Sequence, residues 1–421
     1  MRIGIDGRSL EKSKTGVGRY LSNLLKFWKD SEDNEFYLYF KDEIPQDDFL
    51  KSDNFKLRLL KNPFGFSSNF FFQHFLLPYN LAKDKAGFFF SPFYLKPFYC
   101  PTKSAIVLHD MSYEAHPEWF DFKSQFILRI LSKYSAKTAS KIFTVSNYSK
   151  EEIIKYYHVN LEKITVTYLA PDNNFVKIGD KEKIDAYKLP DAAECHFERL
   201  ARNLNTAEIS KDYRFLADAR NDKKLYSAIQ ENKIIEKYNL KDKFILSVGS
   251  IFNRRHIPEV IEAFEKLALK HNDYQLLIIG KNHTHPFIDI DNMIEIANQK
   301  LGRKAIVKLD YANDEELITF YNSCFLNIYL SDYEGFGLPI VEAQFFGKPV
   351  ITSYNSSLVE VGDGSVEFVK NNTVEEIYNS LDKIISDEEY RNKLIRLGDE
   401  NLKRFNWERC AGETMREVLS I

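Results

Sequence analysis

Apolar positions along the chain follow two alternating rhythms. Short continuous runs punctuate both halves: RIGID, EFYLYF, KSAIVLHD, SKIFTVS and KITVTY in the first, and KFILSVGS, YQLLIIGK, KAIVKLDY, FLNIYLS and KPVITS in the second. Their length and their β-branched and aromatic content predict strands buried on both faces. Between them, segments such as GRYLSNLLKFWKD, KSQFILRILSKYSAKTA and HIPEVIEAFEKLALKH repeat apolar residues every three or four positions and predict amphipathic helices. This alternation predicts an α/β protein with parallel sheets covered by helices on both faces. Two such blocks in series predict two facing Rossmann-like domains, with ligands bound where the carboxyl ends of their strands meet.

The rhythm breaks between Phe175 and Phe244, where no strand pattern occurs. Helical spacing appears instead, with Ala193, Phe197, Leu200 and Leu204 on one face and Pro190 suited to a first turn. A connection this long is seldom structureless in a compact protein. The chain is therefore divided into a domain over 1–177, a helical insertion over 178–232 and a second domain over 233–404. The last helix, about 405–421, is expected to pack back on the first domain.

With 421 residues, the chain exceeds one comfortable core, in keeping with two domains. Its 58 Lys and Arg against 61 Asp and Glu leave a formal charge of -3, without the basic excess of a nucleic-acid binder. The opening MRIGIDGRSL reads as a strand and not as a secretory leader, and no run of about 18 apolar residues occurs. A cytoplasmic protein without a membrane span is expected. Cys100, Cys195, Cys324 and Cys410 show no CxxC spacing and suit reduced, mostly buried thiols. Aromatic residues make up 14% of the chain and crowd between Phe64 and Tyr99. That crowding reads as core packing, because the segment also carries the turn signals of a folded unit. An aromatic surface for lipid or a lipid-linked acceptor is the alternative.

The most informative stretch is SDYEGFGLPIVEAQFFGKPVITS, in which Glu334 and Glu342 bracket seven residues directly after a predicted strand. Gly335 and Gly337 allow backbone N–H groups to approach a ligand closely, and Pro339 suits the first turn of the helix that follows. The N-terminus of that helix, with its dipole, forms an anion site. Glu342 is placed to accept from ribose hydroxyls and Glu334 from hydroxyls of a bound sugar. A glycine turn with two solvated acids is the plainer reading, and the complete strand–loop–helix context argues against it.

This stretch resembles the E-x7-E signature of retaining GT-B-fold glycosyltransferases of family four. MRIGIDGRSL with TGVGRYLSNLL, IVLHDMSYEAHPEWF, FTVSNYSKEEI and ILSVGSIFNRRHIPEVIEAF resemble further blocks of that family in the same order. The resemblance implies the GT-B fold, with the first domain on the acceptor side and the second holding a nucleotide-diphosphate sugar. Phe336 and Leu338, between the two glutamates, join the donor-binding segment. Arg254 and Arg255, where family members usually carry Arg-Lys, are positioned to neutralise the diphosphate. A solvated basic pair is the alternative reading. The resemblance gives His109 a contact with the donor sugar or its phosphate near the reacting carbon, while Asp110 orients the loop. Gly16 falls in the glycine loop across the cleft, Gly249 at the end of a donor-side strand, Lys281 at a phosphate or sugar contact, and Tyr311 beside the nucleobase.

No cofactor and no metal are expected. Asp289-Ile290-Asp291 imitates a DxD but reads as a helix cap, and His283 and His285 lack a partner cluster. Implied is transfer with retention, catalytic roles falling to His109, Arg254, Arg255 and Glu334. The opening block and HDMSYEAHPEWF look most like mannosyltransferases of bacterial surface-polysaccharide pathways, which favours GDP-mannose. A UDP-sugar, dTDP-rhamnose, a phosphorylase or epimerase, and a catalytically idle scaffold are the alternatives. Acceptors are a saccharide or a lipid-linked saccharide. The insertion is a candidate site for a protein partner. Arg129, Lys133, Lys137 and Lys141, spaced four apart, are expected to line one helix face against the inner surface of the cell membrane.

Overall fold

The computed structural model describes residues 1–11, 16–61, 68–172, 175 and 231–421. Nearly all of the predicted insertion, its helical face around Ala193 and Cys195 lie outside the described residues.

Seven parallel strands form the first sheet: β1 (Arg2–Asp6), β2 (Glu35–Phe40), β3 (Phe55–Leu59), β4 (Phe88–Ser91), β5 (Lys103–Leu108), β6 (Lys141–Thr144) and β7 (Ile164–Val166), in the order β3-β2-β1-β4-β5-β6-β7. Ile3 faces Phe36 on one side and Phe88 on the other, which fixes the central register. Six parallel strands form the second: β8 (Phe244–Val248), β9 (Gln275–Ile279), β10 (Ile306–Leu309), β11 (Leu326–Tyr329), β12 (Val350–Ser353) and β13 (Glu367–Val369), in the order β10-β9-β8-β11-β12-β13. Strand order reverses between β1 and β4 in one sheet and between β8 and β11 in the other. Such reversals leave a crevice at the carboxyl ends of the strands.

Three strands were not among those expected. The run GFFFSPF supplies β4, whose Phe88, Phe89 and Phe90 are buried, so part of the aromatic crowding is core. Core packing does not account for all of it: Phe70, Phe75, Tyr79, Phe98 and Tyr99 are exposed. The expected basic stripe also fails. The helix Phe122–Thr138 ends before Lys141, which opens β6 and pairs with Glu417 at 2.5 Å, while Arg129 pairs with Glu114 at 2.7 Å. Lys133 and Lys137 remain of the four. Cys324 and Cys410 are buried thiols and Cys100 is half-buried.

The helix Trp407–Leu419 lies against the helix Gly16–Trp28 of the first domain. Both are strongly amphipathic, and each contributes tryptophan to the seam: Trp28 Nε1 donates to the carbonyl of Ala411 (3.1 Å) and Trp407 Nε1 to that of Pro171 (2.8 Å).

A second seam closes the domains on each other. The helix Asn147–Tyr157 is capped by Ser146 Oγ, which accepts from Ser149 N. Its foremost amides, Asn147 N and Tyr148 N, donate to the carboxylate of Glu360 in the opposite domain, at 2.8 and 3.0 Å. Tyr168 OH donates to the same carboxylate at 2.8 Å, and Ser146 Oγ to the carbonyl of Gly335 at 2.7 Å. A carboxylate at a helix N-terminus satisfies orphan donors and opposes the dipole's positive end.

Candidate active site

The loop after β11 runs from Ser331 to Gly337 and ends on Gly337, whose φ of 109° is available to glycine and strained for other residues. The helix Leu338–Phe345 starts there, with proline in its first turn. The loop is braced from behind. Ser356 Oγ accepts from Glu334 N (3.1 Å), and Ser357 Oγ sits against the carbonyls of Glu334 (2.8 Å) and Phe336 (2.9 Å). Gly335 touches the first domain: a Cβ there would overlap the carbonyl oxygen of His109 and stand 2.9 Å from Asp110 Cβ.

Arg254 and Arg255, in the short helical turn after β8, behave differently from each other. Arg255 lies over the Tyr329 ring and forms an ion pair with Glu334 Oε1 at 3.0 Å, an oxygen that also accepts from Ser331 Oγ at 2.8 Å, while its Nε, like that of Arg254, is buried without a hydrogen-bond partner among the described residues. Burial lowers the Arg255 pKa, but Glu334 and Tyr329 outweigh it and the net shift is upward. Arg254 is wedged between Phe252 (4.4 Å) and, from the opposite domain, Trp119 (5.1 Å). Its buried Nε has no hydrogen-bond partner among the described residues, and burial depresses its pKa. Trp119 in turn stacks on His116 at 3.9 Å, and both meet Tyr333 edge-on.

Glu342 is buried, accepts from Tyr321 OH at 2.8 Å, and lies 4.0 Å from Arg19 of the first domain, which also donates to Asp314 at 3.1 Å. Burial raises the Glu342 pKa, partly offset by Arg19 and Tyr321. His109, at the end of β5, donates Nε2–H to the carbonyl of Pro92 at 2.9 Å, and the edge of its ring meets Tyr20. Burial lowers its pKa, so the ring is neutral and Nδ1 is left as an acceptor. A neutral acceptor nitrogen suits a hydroxyl and not a phosphate oxygen. Asp110 takes the amide and hydroxyl of Ser112 at 2.8 and 2.6 Å, holding the loop beyond β5.

The structure thus brings His109, Arg254, Arg255, Glu334, Gly335, Gly337 and Glu342 to one interdomain crevice, with Gly249 at its β8 edge. Phe336 contributes backbone only, since its ring is buried against Phe405 and Tyr168. Leu338 is half-buried at the helix start. Lys281 and Tyr311 follow β9 and β10, one and two strands outward from β8, and are exposed. Gly16 opens its helix in open space, where a Cβ would meet nothing. Asp289 caps the helix Ile290–Lys300 through Asn292 N, and Asp291 pairs with Lys308 at 3.1 Å. Trp119, Tyr333, Tyr321 and Arg19 were missed. Trp119 and Arg19 lie inside the quoted blocks HPEWF and GVGRY, but their partners are far away in sequence.

His256, directly after the arginine pair, adopts φ 53° and donates to Asp332 at 2.6 Å, with Glu259 at 3.7 Å. Burial lowers its pKa, but the two carboxylates outweigh that and push it up to about 9. The stabilisation is complete below the ordinary value near 6.5 and disappears as pH rises through 9. After discounting for the exposure of Asp332, roughly 2 kcal/mol is at stake. Thermal melts of the parent should therefore lose stability between pH 7 and 10, and His256→Asn should flatten that decline. An equal slope in both proteins would contradict the assignment.

Residues 228–400 match the family model described as glycosyl transferases group 1. The O-antigen chain mannosyltransferase B of Escherichia coli is 24% identical over 323 residues, 76% of this chain and 71% of that protein. The serotype-specific mannosyltransferase WbdA of Escherichia coli is 28% identical over 188 residues, 44% of this chain but 23% of its own length. Among solved structures, the sucrose-phosphate synthase of Thermosynechococcus elongatus superposes with a TM-score of 0.67 at 15% identity, covering 100% of this chain and 99% of that one. Residues 228–400 are thus a glycosyl transferases group 1 domain, and the whole chain, with its two facing parallel-sheet domains, has the GT-B fold.

Proposed function

We propose that the protein is a retaining, metal-independent hexosyltransferase that carries mannose from GDP-mannose to a saccharide acceptor in bacterial surface-polysaccharide assembly. The observation that carries this reading is Arg254, whose buried Nε has no hydrogen-bond partner among the described residues. A buried N–H without an acceptor is costly, and a diphosphate in the crevice would supply one. Arg254 then stabilises charge on the departing nucleotide, together with backbone amides of the Gly335–Gly337 loop. Glu342 takes ribose hydroxyls. Arg255 holds Glu334 in place, and Glu334 and neutral His109 offer acceptors to the sugar. Glu334 is tied to Arg255, so it aligns the sugar and does not serve as a nucleophile. The acceptor hydroxyl attacks on the face of the leaving group, its proton passing to a phosphate oxygen as the bond from the anomeric carbon to phosphate breaks.

The similarity to two mannosyltransferases of Escherichia coli supports the choice of mannose. A peripheral position at the inner face of the membrane belongs to the same proposal. It is supported by exposed Phe70, Phe75, Phe98 and Tyr99, and by Lys133 and Lys137. No described helix is long and apolar enough to cross a membrane.

Thermal-shift titration with GDP, UDP and dTDP, without added metal, tests the donor. GDP at a hundredfold excess over its dissociation constant should add about 2.7 kcal/mol of stability, readable as an upward melting shift. A shift with UDP or dTDP alone would replace the nucleotide, and no shift with any would remove the reading. Proton spectra of the product's anomeric carbon then decide retention against inversion.

A further inference from the structure

Trp119 of the first domain lies over the guanidinium of Arg254 of the second, and the chain around it is built to hold it there. In the sequence HPEW, Pro117 opens a single helical turn in which Trp119 N donates to the carbonyl of His116 at 3.1 Å. The turn brings the His116 ring onto the indole, 3.9 Å away with the planes 8° apart. His116 Nδ1 lies 3.1 Å from Glu118 Oε1, so the ring is tethered within the same turn. It also meets Tyr333 of the second domain edge-on, and Tyr333 OH accepts from Met111 N at 3.3 Å. Tyr333 immediately precedes Glu334, so these contacts tie the turn to the loop that carries the carboxylate.

The two rings that hold Arg254 come from different domains. Phe252, 4.4 Å from the guanidinium, stacks in turn on His283 at 5.5 Å and belongs to the second domain, as Arg254 does. The main chain of the arginine turn is also pinned there. Asp332 N donates to the carbonyl of Arg254 at 3.0 Å, and Asn253 Oδ1 accepts from His285 N at 2.7 Å. Those bonds fix the backbone and leave a long side chain free to rotate beyond it. A guanidinium meets aromatic rings with its faces and hydrogen-bond acceptors with its edge. Rings from both domains therefore restrain the plane without occupying an N–H group. Arg255 is held differently, by the carboxylate of Glu334.

We propose that Trp119 is a positioning residue for sugar transfer: with Phe252 it fixes the plane of Arg254, so that the N–H edge is aimed at the departing diphosphate only while the two domains are in contact. The inference rests on the transferase reading above and adds how that site is regulated. A donor held by the second domain alone faces an arginine that is charged but not aimed. Arrival of Trp119 completes the stack, and the diphosphate then becomes a good leaving group. Trp119 touches neither reacting atom in this account and acts through Arg254.

Steady-state transfer and calorimetry with GDP, both on the full chain, test this. Trp119→Ala should lower kcat about thirtyfold, the scale of one desolvated cation–π contact, and leave GDP affinity near that of the parent. In an Arg254→Ala background the same substitution should cost little more, because the guanidinium it acts through is gone. Trp119→Phe should keep most of the rate. Trp119→Leu, bulky and apolar but without a π face, should fall with the alanine variant. Losses that add fully to those of Arg254→Ala, equal rates for the phenylalanine and leucine variants, or a parental kcat in Trp119→Ala would each overturn the proposal. A parent that neither binds a nucleoside diphosphate nor transfers sugar would remove the transferase reading, and this proposal with it. A parent that does both, with any of the three earlier results, loses this proposal alone.

Discussion

Gly335→Ala is expected to cut glycosyl transfer by about a hundredfold or more, the scale of an ångström-sized misplacement of reacting groups. The added methyl would occupy the position of the His109 carbonyl oxygen, and backbone cannot swing aside as a side chain does. The domains would then be held apart at the point where acceptor side and donor side must meet. The loop itself lies within one domain and keeps its braces from Ser356 and Ser357, so the melting temperature should move by only a few degrees. GDP affinity should fall much less than turnover, because the nucleotide contacts assigned here lie mainly on one domain. Measuring kcat, GDP affinity and melting on one preparation separates these effects. Transfer at the parental rate would show that the closed contact at Gly335 is not part of the working cycle.

Arg254→Ala and Arg255→Ala should diverge, although the residues are adjacent and alike in charge. Removing Arg254 deletes a cation that, unlike Arg255, has no ion-pair partner among the described residues, so stability should hold while kcat falls about a hundredfold, roughly 3 kcal/mol of transition-state stabilisation. Lysine should not restore the rate, since an ammonium cannot lie flat between Phe252 and Trp119 as a guanidinium does. Removing Arg255 strands the Glu334 carboxylate beside the Tyr329 ring, and breaking such a pair costs on the order of 3–5 kcal/mol. That variant should lose both melting temperature and activity. Steady-state kinetics paired with thermal denaturation checks the contrast. Equal stability losses in the two variants would mean that Arg254 is a structural residue as well.

Much of the fold could be read from sequence because a parallel strand buried on both faces advertises itself as a continuous apolar run. The strands that escaped lack that signal. β4 hides inside a longer aromatic stretch, β3 alternates polar and apolar residues in FKLRL, and β13 is three residues long. The site divides in the same way. The loop from Glu334 to Glu342 is local, and its glycines and carboxylates are meaningful in order. The Arg254–Trp119 contact, the approach of Arg19 to Glu342 and the hold of Pro92 on His109 are decided by chain crossings that no window of sequence contains. The basic stripe failed for a related reason: spacing of four shows a shared face only while the helix lasts, and this one stops at Thr138.

The carboxylate of Glu360 gives the helix Asn147–Tyr157 an unusual dependence, because the helix belongs to one domain and this part of its cap to the other. Whenever the cleft opens, the amides of Asn147 and Tyr148 lose their acceptor and must turn to solvent. Those two protons therefore act as a built-in gauge of the cleft. Their hydrogen–deuterium exchange proceeds at a rate set by the open fraction, while Ser149 N, capped by Ser146 within its own domain, serves as the internal clock. The ratio of the two rates follows opening and closing through the catalytic cycle without any label on the protein.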